Sequence, residues 1–101
     1  MPTRAILVCV TLLSEPEIDA KLAACEWQRD AQAIAREWTF DDFAQAIAFV
    51  NRVADAAESV NHHPDILLHG WNKVRLKLCT HSESGLTQAD FDMAARIDAL
   101  A

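Results

Sequence analysis

Three of the chain's four histidines fall in two short segments. One is Glu58-Ser59-Val60-Asn61-His62-His63-Pro64-Asp65, the other Thr80-His81-Ser82-Glu83-Ser84-Gly85-Leu86-Thr87. An imidazole has an unperturbed pKa of ~6.5, so it can give or take a proton near neutral pH. Three of them in a short acidic chain point to proton-transfer chemistry. Glu58 precedes His62 by four residues, one helical turn, so a carboxylate could orient that ring. The competing reading is a surface helix pair. Adjacent His62 and His63 point about 100° apart on a helix and can face one cavity only at an unwound end. Pro64 supplies such an end, because the residue before proline is pushed out of α geometry. A His₃ metal site built from His62, His63 and His81 is a further reading. The chain lacks HExxH and CxxC, and an adjacent pair chelates poorly from a helix. His69 sits beside Gly70 in a turn and is expected to be exposed.

The elements that must position these groups follow from patterning. Ser14-Glu15-Pro16-Glu17 has the form of a capping box with proline in the first turn, opening a helix to about Cys25 with Ile18, Leu22 and Cys25 inward. Residues 27–32 and 33–40 read as two strands. In the second, Ile34, Arg36, Trp38 and Phe40 alternate against Ala35, Glu37 and Thr39. No glycine or proline marks the turn between them. The longest helix is expected from Asp41 to about Asn61. Phe43, Ile47, Val50, Ala54 and Ala57 form one apolar stripe, and Phe49, Val53 and Val60 a second that could meet a sheet or a partner.

Residues 65–68 and 73–81 read as strands around Gly70. Val74, Leu76, Leu78 and Thr80 lie on one face of the latter, and Arg75, Lys77, Cys79 and His81 on the other. Residues 82–86 form a loop, and Thr87 caps a final helix with Asp90 at its capping-box position. Phe91, Ala94, Ala95 and Leu100 are expected to make its apolar contacts. The order helix, two strands, helix, two strands, helix predicts an α+β two-layer sandwich, a four-stranded antiparallel sheet with helices packed on one face.

Composition narrows the function classes. The chain has 101 residues, which predicts one domain, spanning 13–101 behind an apolar N-terminal extension over 1–12. That extension is expected to be a strand or arm packed on the domain or a neighbour; its apolar run is too short to span a bilayer. The net charge of −6 and scattered basic residues argue against nucleic-acid binding. A hydrophobic content of 51% is rich for this size and suggests that a second subunit covers part of the surface. Three separated cysteines, Cys9, Cys25 and Cys79, read as free thiols in a reducing cytoplasm.

Taken together, Glu58, His62-His63-Pro64-Asp65, Trp71-Asn72-Lys73-Val74, Thr80-His81, Gly85-Leu86-Thr87 and Asp90 resemble the pattern of the pterin-4a-carbinolamine dehydratase family, also known as dimerisation cofactor of a homeodomain transcription factor. Phe40-Asp41-Asp42-Phe43 is similar to the start of the family's long helix, although Glu26 stands where a glycine commonly precedes the early tryptophan. The resemblance implies dehydration of a 4a-hydroxytetrahydropterin to the quinonoid dihydropterin, without metal or organic cofactor, in recycling tetrahydropterin for aromatic amino-acid hydroxylation. It implies His62 and His81 in acid/base roles, His63 positioning the substrate, and Glu58 and Asp90 orienting or polarising them. It also implies Trp27, Asp65 and Thr80 beside the pterin. The three imidazoles are expected to share one solvent-reachable hollow. A pterin substrate, a homodimer or homotetramer and an aromatic amino-acid hydroxylase are the implied partners, with no nucleic acid or membrane. Other function classes are a non-catalytic protein-binding cofactor and a histidine metal-binding module.

Overall fold

A computed structural model describes residues 11–101. The predicted arm over 1–12 therefore lies outside the described residues, except for its last two. Of these, Leu12 bridges Thr87, and at the start of the domain the Leu13 amide donates to the Leu86 carbonyl at 2.9 Å. Among the described residues no helix is long and apolar enough to cross a membrane.

Helix α1 (Glu15–Ala23) starts with the predicted reciprocal cap. The Ser14 amide donates to Glu17 Oε1 at 2.8 Å, and the Glu17 amide to Ser14 Oγ at 3.3 Å. Strands β1 (Gln28–Asp30) and β2 (Ala33–Thr39) form a hairpin, and helix α2 (Phe43–Val60) follows. Strands β3 (Asp65–His69) and β4 (Lys73–Leu78) form a second hairpin, and helix α3 (Gln88–Asp98) closes the chain. The sheet order is β1-β2-β4-β3 with every pairing antiparallel. This is the α+β arrangement that the element order predicts.

The core lies between the sheet's inner face and the helices. Ile34, Val74, Leu76 and Leu78 from the strands meet Phe49, Val53 and Ile97 from the helices, all fully buried. Phe49 is the centre of an aromatic group, with ring centroids 5.0 Å from Trp38 and 5.1 Å from Phe40.

That packing decides which of the two apolar stripes of α2 turns inward. The inward stripe is Ala46, Phe49, Val53 and Ala57, while Phe43, Ile47 and Ala54 are exposed and Val50 is half-buried. Two apolar stripes competed. The one carrying Phe49 and small alanines wins, because alanine lets the helix approach the sheet closely while the ring fills the space beneath Trp38 and Phe40. Val60, placed in that second stripe by its spacing, is exposed at the helix end. On α3, Phe91 and Ala94 are buried with Met93 and Ile97, but Ala95 faces solvent.

The two hairpins turn differently. Between β3 and β4, Gly70 (φ 57°) and Trp71 (φ 63°) are both left-handed. Between β1 and β2 the left-handed position is taken by Ala31 (φ 54°), with Arg29 Nε donating to its carbonyl at 2.7 Å.

Candidate active site

His62 owes its position to the way α2 stops. Asn61 adopts left-handed geometry (φ 51°, ψ 45°), which asparagine tolerates better than most residues. The His62 amide then folds back onto the Ala57 carbonyl at 3.1 Å. Pro64 only reinforces a stop already made three residues earlier.

The reversal sends His62 inward. Its Nε2 lies 2.7 Å from Asp90 Oδ1, and the two side chains are 18% and 0% exposed. Asp90 Oδ2 accepts from Thr80 Oγ1 at 2.8 Å and from the Thr87 amide at 2.9 Å. The Thr80 and Thr87 hydroxyls are themselves 2.8 Å apart. Asp90 therefore closes the first turn of α3, as its capping position predicts, and also holds His62. One carboxylate ties together the end of α2, the segment leaving β4 and the start of α3.

Glu58 does not pair with His62, as the four-residue spacing predicts, but with His63 Nε2. The left-handed turn at Asn61 rotates the next two residues out of helical phase, so the ring that returns toward Glu58 belongs to His63. This pair is open to solvent, with side chains 53% and 76% exposed.

His81 is exposed and begins a 3₁₀ turn (His81–Glu83) rather than continuing β4. Its Nδ1 is 3.6 Å from Cys79 Sγ. The turn is closed by Thr80 and Gly85: the Thr80 amide donates to the Gly85 carbonyl at 2.8 Å, with Ser84 left-handed (φ 54°). Gly85 permits a close crossing by the N-terminal segment, since an added Cβ there would stand 3.0 Å from Leu12 Cδ2. The Cys79 thiol is pushed above its ordinary range, mostly by burial, then by the negative charges of Asp90 and Asp65, with Lys77 opposing.

A hollow of about 210 Å³ opens beside His62, lined by Val60, Ala89, Asp92, Met93 and Arg96. His63 and His81 do not line it. Among the described residues, this hollow thus takes in only one of the three imidazoles expected to share it. The chain joins His62 to the His81 segment through Asp90 and Thr80, and leaves His63 and His81 on the surface. Among the described residues no group of three or more His, Cys, Asp or Glu is placed to hold a metal ion.

The other expected contacts fare unequally. Trp27 is a core residue, 2% exposed, packed edge-on to Trp38 at 5.7 Å, with its Nε1–H donated to Asp98 Oδ1 at 2.9 Å. Asp98 also holds Arg36 at 2.9 Å. It lies eight residues, ~12 Å of helix, beyond Asp90. Trp27 therefore clamps the end of α3 away from Asp90. Thr80 is 7% exposed and donates its hydroxyl proton to Asp90, the carboxylate that holds His62. Asp65 is exposed at the start of β3, opposite Lys77 in the register. His69, expected to be exposed in a turn, is half-buried at the end of β3, with Nε2 2.7 Å from Glu37 Oε1. The hydroxyl of Thr87 was missed as a site group. Its N-cap role was readable, but its partnership with Thr80 depends on the hairpin-like closure of residues 80–85.

Comparison with known proteins agrees with this architecture. The family model described as pterin 4 alpha carbinolamine dehydratase matches residues 11–100. A Gloeobacter violaceus protein provisionally named pterin-4-alpha-carbinolamine dehydratase 2 is 48% identical over 90 residues, covering 84% of this chain and 97% of its own. A similarly named Acidobacterium capsulatum protein is 47% identical, covering 87% and 96%. The crystal structure of a transcriptional coactivator/pterin dehydratase from Brucella melitensis superposes with a TM-score of 0.84 at 37% identity, over 90% of this chain and 99% of that one. A pterin dehydratase-like protein identified as a RuBisCO assembly factor in the alpha-carboxysome superposes at TM-score 0.62 and 28% identity, over 75% and 87%. The fold therefore hosts more than one task, and the site residues must carry any functional assignment. With the match extending over nearly the whole chain, this protein belongs to the pterin-4-alpha-carbinolamine dehydratase family, a family of hydro-lyases.

Proposed function

We propose that the protein dehydrates a 4a-hydroxytetrahydropterin to the quinonoid dihydropterin by histidine acid/base catalysis. The reaction breaks the C4a–O bond and removes the N5 proton, so that a C4a=N5 double bond forms and water leaves. One group must protonate the departing hydroxyl and another must accept the proton from N5. Such transfers are each worth about 10²–10⁴-fold. The observation that carries the proposal is the buried carboxylate of Asp90, which holds His62 and is bonded to Thr80, the residue next to His81. His62 and His81 exchange the protons, and His63, with Glu58 behind it, positions the pterin with Asp65 nearby.

The product's reduction would return a tetrahydropterin to an aromatic amino-acid hydroxylase, our candidate partner. Half-buried free thiols at Cys25 and Cys79 fit a reducing cytoplasm. The exposed Phe43 and Ile47 on α2 offer an apolar surface for a second copy of the chain, consistent with a homodimer or homotetramer.

Stopped-flow absorbance on chemically generated 4a-hydroxytetrahydropterin tests the activity. Because the compound also dehydrates unaided, the quantity to compare is the rate over buffer. Acceleration proportional to enzyme concentration is expected; a folded protein that leaves the buffer rate unchanged would overturn the assignment.

A further inference from the structure

The hydrogen bonds around Asp90 have a fixed direction. A threonine hydroxyl carries one proton. Thr80 donates that proton to Asp90 Oδ2, so in the 2.8 Å contact between the two hydroxyls Thr87 must be the donor and Thr80 the acceptor. The chain of donation runs Thr87 Oγ1–H to Thr80 Oγ1–H to Asp90 Oδ2. The Thr87 amide gives Oδ2 a second donor at 2.9 Å. With Oδ2 saturated, Oδ1 is left to accept from His62 Nε2 at 2.7 Å.

We propose that Thr87 and Thr80 are positioning residues that fix the tautomer of His62, so that its Nε2 carries the ring proton and its Nδ1 exchanges the proton with the substrate. This rests on His62 being an acid/base group in the proposed dehydration. In neutral His62 the single N–H then points at Asp90 and the lone pair sits on Nδ1. During turnover Nδ1 accepts the N5 proton of the carbinolamine, and the resulting imidazolium faces the Asp90 carboxylate. The 4a-hydroxyl leaves as water with a proton from the acid partner, and Nδ1 afterwards returns its proton to solvent.

A buried aspartate that fixes the tautomer and orientation of an imidazole is a recurrent device in acid/base sites. Here the aspartate is itself oriented by the Thr80 hydroxyl, which the Thr87 hydroxyl fixes in turn; the two residues are 7% and 1% exposed. Losing the Thr80 donor would leave Asp90 held by the Thr87 amide and His62 alone, a looser seat in which the Nδ1–H tautomer of His62 gains population. The Thr87 side chain thus acts on His62 through two intermediate groups, without touching substrate.

The test is long-range ¹H–¹⁵N NMR of the imidazoles in the full chain, free of substrate, at a pH where His62 is neutral. The wild type should show the Nε2–H tautomer at His62. In Thr80→Val and Thr87→Val the two ring nitrogen shifts should move toward a tautomer average, and Thr80→Ser and Thr87→Ser should restore the wild-type pattern. In parallel, both valine variants should lose about three- to tenfold in kcat with KM little changed, and the serine variants should recover it. An Nδ1–H tautomer in the wild type, or a His62 spectrum that ignores both valine substitutions, would overturn the proposal. An Nδ1–H wild type overturns it even if a valine variant fails to fold, and the serine variants carry the comparison if the valine ones do not fold. Because no substrate is present, the tautomer result stands apart from the dehydratase assignment, which the wild-type rate over buffer decides, and from the acid/base role of His62, which turnover by His62→Ala decides.

Discussion

Two histidine–carboxylate pairs lie within a few residues of each other and behave as different chemical objects. His62 and Asp90 meet in the interior, with the carboxylate wholly buried and bound to two further donors. His63 and Glu58 meet in water, with both side chains more than half exposed. In sequence the two look interchangeable, and the four-residue spacing even favours Glu58 with His62. The interior pair fixes a ring in one orientation, because moving it would strand a buried carboxylate oxygen. The surface pair is screened, can open at little cost, and suits a side chain that must swing to meet a ligand. Preorganisation at this site is thus a matter of what lies behind the imidazole.

The contrast can be tested in descending order of effect. His62→Ala and His81→Ala should each lower kcat for dehydration by about 10²-fold or more, measured by stopped-flow absorbance with folding checked by circular dichroism. His63→Ala should act mainly on KM; a kcat loss equal to that of His62→Ala would erase the distinction between the pairs.

Stability should separate the carboxylates next. Asp90→Ala removes the acceptor for the Thr80 hydroxyl and the Thr87 amide in the interior, and should cost about 2–3 kcal/mol in urea unfolding. Glu58→Ala should stay within about 0.5 kcal/mol. Equal costs would mean that burial does not distinguish them.

Cys79 offers a smaller, local reporter. Its thiol is held above the ordinary range by burial and then by the charges of Asp90 and Asp65. At a given alkaline pH less thiolate is present, so alkylation should be slower than for an unhindered cysteine, with its midpoint displaced to higher pH. Asp90→Asn removes one of the raising charges and should bring the midpoint down. Glu58→Gln should leave it in place, because Glu58 is not among the groups that shift it.

The smallest change expected is a control far from both pairs. Ala31→Gly relieves a left-handed residue in the β1–β2 turn and should stabilise the fold by about 0.5 kcal/mol, the conformational gain being partly offset by the greater freedom of glycine when unfolded. Neither kcat nor KM should respond.

That same turn shows where sequence reasoning runs thin. The strands themselves were legible from alternation, but the β1–β2 connection has no glycine or proline because an alanine adopts the strained position and Arg29 holds it. The order of elements, the α1 capping box and the two faces of β4 were readable because each depends on local spacing. The buried face of α2 was not. Two apolar stripes compete there, and only the aromatic pair above Phe49 selects between them. At the site, residue types at 58, 62, 63, 81 and 90 marked proton chemistry, while their pairing was decided by the left-handed Asn61 and by contacts between segments far apart in the chain. The partners of Trp27 were not readable either: its N–H bonds Asp98, 71 residues away in the chain, and its ring packs edge-on to Trp38.

The most direct test compares the two carboxylates in one assay: single-turnover dehydration of 4a-hydroxytetrahydropterin by Asp90→Asn and by Glu58→Gln. Asp90→Asn should slow the chemical step by at least about tenfold more than Glu58→Gln, since only the former removes the group that orients His62. Comparable rates for the two variants, or a faster Asp90→Asn enzyme, would contradict the claim that the interior pair carries the chemistry.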